Sequence, residues 1–140
     1  MSLKRSPLIA FTLIELMIVI AIIAILAAVL IPNFIRSRSQ AQITGCKENL
    51  KNIATSIEMY ANDNKSVFPT LAAFVLLTPN YLSKLPICAA AQTDTYSSGY
   101  QVNANGSAYT LNCQGTNHQG AGVLLPNYPQ YNTFSGLAMP

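Results

Sequence analysis

Two sets of residues in this chain are of types that do chemistry. The first is one carboxylate. In the run "FTLIELMIVIAIIAIL", from Phe11 to Leu26, every residue is apolar except Thr12 and Glu15. A charge at the centre of a membrane helix costs roughly 2.5–3.5 kcal/mol on insertion scales. A carboxylate kept there needs compensation. Its own helix N-terminus is one source, worth about 0.3–1 kcal/mol to an acid, and a cation on another molecule is a second.

The second set is Cys46, Cys88, Cys113 and the single histidine, His118. Thiols and an imidazole can make a metal site, a disulfide or a buried thiol core. Cys88, Cys113 and His118 could begin a metal site, but their spacing matches no standard zinc pattern. The expectation is therefore no metal and no cofactor. A Cys88–Cys113 disulfide is expected instead, since both residues fall in the C-terminal region beside a candidate hairpin. Closing a loop of that length stabilises by about 3 kcal/mol on the chain-entropy estimate. Cys46 lies on the apolar stripe of a helix, where a thiol packs as a small hydrophobe. Asp63 and Asp94 sit alone in polar loops and suggest no acid–base pair. "NGS" at Asn105 fits a glycosylation sequon and also a hairpin turn. Nothing in these residue types supports catalysis.

The elements that must position these residues follow from patterning. Hydrophobic residues make up 51% of the 140 and charged residues only 9%, against about 25% charged in ordinary soluble domains. The excess is concentrated between Phe11 and Ile31, 21 residues, which as a helix rise about 32 Å and can cross a hydrocarbon core of roughly 30 Å. Lys4 and Arg5 precede this run, and Arg36 and Arg38 follow it, so charge alone does not orient it. From Phe11 onward six basic residues face five acidic ones, a balance that gives no sign of a nucleic-acid surface.

Beyond Pro32, residues Ile43, Cys46, Leu50, Ile53, Ile57 and Tyr60 recur at spacings of three and four, opposite Lys47, Lys51, Thr55 and Glu58. That is an amphipathic helix. One helix is thus expected over about residues 11–62, apolar all round in its first half. Pro32 removes one backbone hydrogen bond and should kink or loosen it, and Gly45 costs about 1 kcal/mol relative to Ala. "NDNKSVFPT" ends the helix. "TLAAFVLLTP" predicts a short helix capped by Thr70 and stopped at Pro79. "YQVNANGSAYTLNC" predicts a hairpin turning at Asn105-Gly106. The tail from Gln114 to Pro140 reads as irregular, with a short strand at Val123–Leu125. A small loop-rich head of this kind is marginal on its own.

"FTLIELMIVIAIIAILAAVLIPNF" resembles the N-terminal segment of type IV pilins and of the related pseudopilins of type II secretion. The resemblance implies a basic leader, residues 1–10, cut between Ala10 and Phe11, with N-methylation of Phe11 and a functional Glu at Glu15. The family's helix-bending proline corresponds to Pro32. The family usually carries Gly before the cut, where this chain has Ala10. The implied fold is α+β: a long N-terminal helix, membrane-spanning over residues 11–31 and amphipathic over 32–62, packed on a small antiparallel β head, residues 63–140.

The implied function is that of a structural, non-enzymatic subunit of a type IV pilus-like filament. It would be held in the bacterial inner membrane as a single pass with its N-terminus cytoplasmic. A prepilin peptidase/methyltransferase would process it and an inner-membrane assembly platform would polymerise it with itself into a cell-surface or periplasmic filament. Phe11 and Glu15 would carry the inter-subunit contact. The alternatives are a pseudopilin of a type II secretion system, which "SIEMYANDNKSVFPTL" also resembles, and a membrane-tethered binding domain that never polymerises. Some pseudopilin heads bind calcium, for which Asp94 alone is weak evidence.

Overall fold

A computed structural model of the chain describes residues 11–140. The expected leader, with Lys4, Arg5 and the residue before the cut, Ala10, lies outside the described residues. The described residues are organised into two compact units, one ending at Ile35 and the other spanning Arg36–Pro140.

Helix α1 runs from Leu13 to Asp63, 51 residues, close to the bounds that patterning predicts. Within the first unit its side chains, Glu15 and Asn33 apart, are apolar, and the large ones are exposed: Leu13 is 76% exposed, Ile18 54% and Ile25 68%. A helix apolar all round is built for an apolar environment. The mean hydropathy of its most apolar window is 3.2, and the helix is long enough to cross a membrane. α1 stays helical through Pro32. Pro32 has no amide to donate, and one residue on, the Asn33 side chain donates to the Val29 carbonyl at 3.1 Å.

In the second unit the remainder of α1 buries the predicted stripe. Ile43, Cys46, Leu50, Ile53 and Ile57 are all 2% exposed or less. Cys46, Leu50, Ile53 and Ile57 join Phe74, Leu77, Tyr96, Tyr100, Tyr109 and Leu111 in one core between helix and sheet. The sheet has four strands in the order β1-β2-β3-β4: Tyr100–Val102, Tyr109–Asn112, Gln130–Asn132 and Gly136–Ala138. All three pairings are antiparallel, and Tyr100, Leu111, Tyr131 and Leu137 fall in one cross-strand row.

The first hairpin matches the sequence expectation, with Gly106 in the left-handed region at φ +63° and its amide donating to the Asn103 carbonyl at 3.0 Å. The short helix near Thr70 is a single 3-10 turn, Phe74–Leu77, and the Thr70 hydroxyl accepts from the Ala73 amide ahead of it. The tail departs from expectation. Val123–Leu125 forms no strand, and the strands lie further on, in a second hairpin of β3 and β4. Its turn is organised by Asn132, whose side-chain oxygen accepts from the amides of Phe134 at 3.0 Å and Ser135 at 2.7 Å.

Candidate functional site

The residues singled out at the N-terminus meet at the first turn of α1. Thr12 precedes the helix and Glu15 is its third residue. The Thr12 amide and hydroxyl each donate to Glu15 Oε2 at 2.8 Å, and the Glu15 amide donates to the Thr12 hydroxyl at 3.2 Å. This is a capping box, in which two amides left over at a helix start are satisfied reciprocally. "TLIE" carried that signal, and it is how the carboxylate is compensated within its own chain. Phe11, Thr12 and Glu15 are all exposed, so Glu15 is also accessible to a cation on another molecule.

The other chemically capable residues gather in the second unit. Cys46, Cys88, Cys113 and His118 are all buried, and their sulfur and nitrogen atoms lie within 4.8 Å of one another. Cys88 Sγ stands 3.6 Å from Cys46 Sγ and 3.5 Å from Cys113 Sγ. His118 Nε2 is 3.4 Å from Cys113 Sγ and 3.8 Å from Cys88 Sγ. The expected Cys88–Cys113 disulfide is not formed. All three cysteines are free, and their sulfurs are well beyond the roughly 2.05 Å of a bonded pair. Cys46 is buried as expected, but it joins this cluster and does not pack only among hydrocarbon.

Each member is delivered by a different element. Cys46 comes from the buried stripe of α1. Cys88 opens a loop closed by its own carbonyl and amide, which bond Gln92 N and Thr93 O at 2.8 and 2.9 Å. Cys113 directly follows β2, and Gly115, at φ +104°, turns the chain so that His118 comes back over it.

A further shell of polar groups is aimed at the sulfurs. The Tyr96 hydroxyl is 2.9 Å from Cys46 Sγ and accepts from Asn49 Nδ2 at 3.2 Å. The Thr95 hydroxyl lies 3.2 Å from Cys113 Sγ, the Ala91 amide donates to Cys88 Sγ at 3.4 Å and Asn117 Nδ2 to Cys113 Sγ at 3.8 Å. Thr95 and Tyr96 are themselves placed by Asp94, whose Oδ1 accepts from the amides of Tyr96 and Ser97 at 2.9 and 3.1 Å. That Asx turn accounts for Asp94. The hydrogen bond from Cys46, and then those from His118, Thr95 and Cys88, hold the Cys113 thiol well below the usual range. The same bond to Cys113, reinforced by burial, pushes Cys46 up.

With this geometry in view, the relatives are informative. The prokaryotic N-terminal methylation motif matches residues 10–31. The type II secretion system core protein G of Pseudomonas aeruginosa is 32% identical over 111 residues, covering 69% of this chain and 74% of its own length. The type IV wide pilus major component PilA4 of Thermus thermophilus is 52% identical over 67 residues, 48% of this chain. The type IV major pilin protein PilA of Myxococcus xanthus is 49% identical over 53 residues, 38% of this chain. The chain spans about half the length of the Thermus protein and about a quarter of the Myxococcus one. No solved structure matches the chain at a significant level.

The chain belongs to the type IV pilin/pseudopilin family. The family is structural and not enzymatic, and it implies membrane anchoring by the apolar helix, leader processing and self-assembly into filaments.

Proposed function

We propose that the chain is a structural subunit of a type IV pilus-like filament. The leader is removed between Ala10 and Phe11, Phe11 is N-methylated, and the subunit waits in the inner membrane with its N-terminus cytoplasmic. An assembly platform then extracts it into a homopolymer whose core is the bundled apolar halves of α1. Pro32 supplies a point of flexure during that transfer. No catalysis is assigned to the chain.

The observation that carries this function is the exposed, wholly apolar first half of α1 with a lone carboxylate, Glu15, at its first turn inside the methylation motif. Loss of the leader would create an ammonium at Phe11, one helical turn from Glu15. In a filament core the Glu15 carboxylate would pair with the Phe11 ammonium of the neighbouring subunit. Methylation keeps that charge. Leaving one partner of a buried pair unmatched costs about 3–5 kcal/mol, which favours docking in one register.

A second function, that of a pseudopilin in a type II secretion machine, is supported by one specific observation. The likeness to secretion protein G extends over 111 residues, whereas that to the two pilins covers 67 and 53. Deleting the gene and assaying both sheared surface filaments and secreted proteins separates the two. Loss of filaments with normal secretion is expected for the pilin, and loss of secretion with normal filaments would transfer the chain to the secretion machine.

A further inference from the structure

We propose that Cys46, Cys88, Cys113 and His118 bind one structural Zn²⁺ ion that ties the head to α1. Zinc takes four ligands in a tetrahedron, with Zn–S near 2.3 Å and Zn–N near 2.0–2.1 Å. Those bond lengths place ligand atoms about 3.5–3.8 Å apart along the edges of the tetrahedron. Four of the six edges, at 3.6, 3.5, 3.4 and 3.8 Å, are close to that spacing, and the remaining two, from Cys46 to Cys113 and to His118, are within 4.8 Å. A three-sulfur, one-imidazole set in a buried site suits zinc over the hard cations, which prefer oxygen.

The surroundings fit a metal centre better than a disulfide. Cys88 Sγ is nearly equidistant from Cys46 and Cys113, at 3.6 and 3.5 Å, so the geometry selects no pair. Either bond would strand the third thiol and a buried imidazole. Every sulfur also has a polar neighbour within reach: the Tyr96 hydroxyl at Cys46, the donating Ala91 amide at Cys88, and the Thr95 hydroxyl with the donating Asn117 amide at Cys113. Thiolates on zinc carry more negative charge than the ion neutralises, and donors aimed at sulfur are the second shell that such ligands need. On binding, three S–H bonds give way to three S–Zn bonds and three protons pass to solvent, while neutral His118 contributes its Nε2 lone pair. No electron is transferred.

The mechanical consequence follows from where the ligands sit. The helix, the 88–93 loop, the end of β2 and the turn before the 3-10 segment Gln119–Ala121 meet here. One ion would fasten four segments of a short-stranded, loop-rich head, the role that structural zinc plays in small domains.

The test uses the untagged full chain, purified from membranes in detergent without chelator. Plasma mass spectrometry should find one zinc per chain, and exchange with Co²⁺ should give the visible bands of tetrahedral thiolate coordination. His118→Cys should retain the metal, His118→Ala should lose most of it, and chelation should lower the melting temperature of the wild-type chain. Zinc far below one per chain in the folded wild type, without cobalt bands on reconstitution, would overturn the assignment. So would recovery of a Cys88–Cys113 or Cys46–Cys88 disulfide by non-reducing peptide mapping.

Discussion

The Thr12 hydroxyl and the Glu15 carboxylate hold each other across the first turn of α1, at 2.8 Å, while the Glu15 amide returns a bond to the same hydroxyl. Glu15 therefore has a local partner before any filament exists, and the helix cap and the inter-subunit pair can be separated by mutation. Thr12→Ala removes the cap, at a cost of about 0.5–2 kcal/mol, and leaves the carboxylate. It is expected to fray the first turn, seen as faster amide exchange at Leu13–Glu15, while sheared filament yield stays near wild type. Filament loss as complete as that from a Glu15 substitution would make the cap itself the assembly determinant.

Processing is tested by intact-mass analysis of the mature protein. Loss of residues 1–10 and one added methyl on Phe11 is the expected result. A mature terminus at Met1 or Ser2 would contradict it.

Leu50 lies on the buried stripe of α1 with no exposed surface. Leu50→Ala is expected to destabilise the second unit by about 2–5 kcal/mol through lost burial and a cavity. Lys51→Ala, on the exposed face, should stay within about 0.5 kcal/mol. Denaturant unfolding of detergent-solubilised protein measures both, and equal effects would contradict the packing described for α1.

Tyr96 is fully buried and its hydroxyl bridges Asn49 and Cys46. Tyr96→Phe keeps the ring and removes the bridge. Given the zinc centre, metal affinity should fall about 10–100-fold, as for other outer-shell partners, measured by competition with a chromophoric chelator. Unchanged affinity would remove Tyr96 from any role at the sulfurs.

What the sequence disclosed depended on period. The stripe from Ile43 to Tyr60 repeats at helical spacing over several turns, and the structure buries it from Ile43 to Ile57 and leaves Tyr60 half-buried. The first hairpin was announced by alternation on both arms and by Asn105-Gly106. The second hairpin was not, because β3 and β4 are three residues each, "QYN" and "GLA", with one large apolar side chain apiece and so no alternation to read. The thiol–imidazole cluster was hidden for a different reason. Familiar zinc patterns place ligands in close pairs along the chain, whereas here Cys46 and Cys88 are 42 residues apart, Cys88 and Cys113 are 25 apart, and only Cys113 and His118 are near, at five. Only the folded chain brings them together. Cys46 falling in phase with the buried stripe was the one available sign that a thiol would face the head.

The role of Glu15 in filament assembly is tested most directly by expressing Glu15→Val in the native host and measuring sheared filaments at matched membrane levels. Valine keeps the apolar helix able to insert and leaves the head untouched, but it removes the carboxylate that would meet the neighbouring Phe11 ammonium. The account predicts normal membrane levels by immunoblot with filaments abolished or sharply reduced. Wild-type filament yield from Glu15→Val at wild-type membrane levels would contradict it.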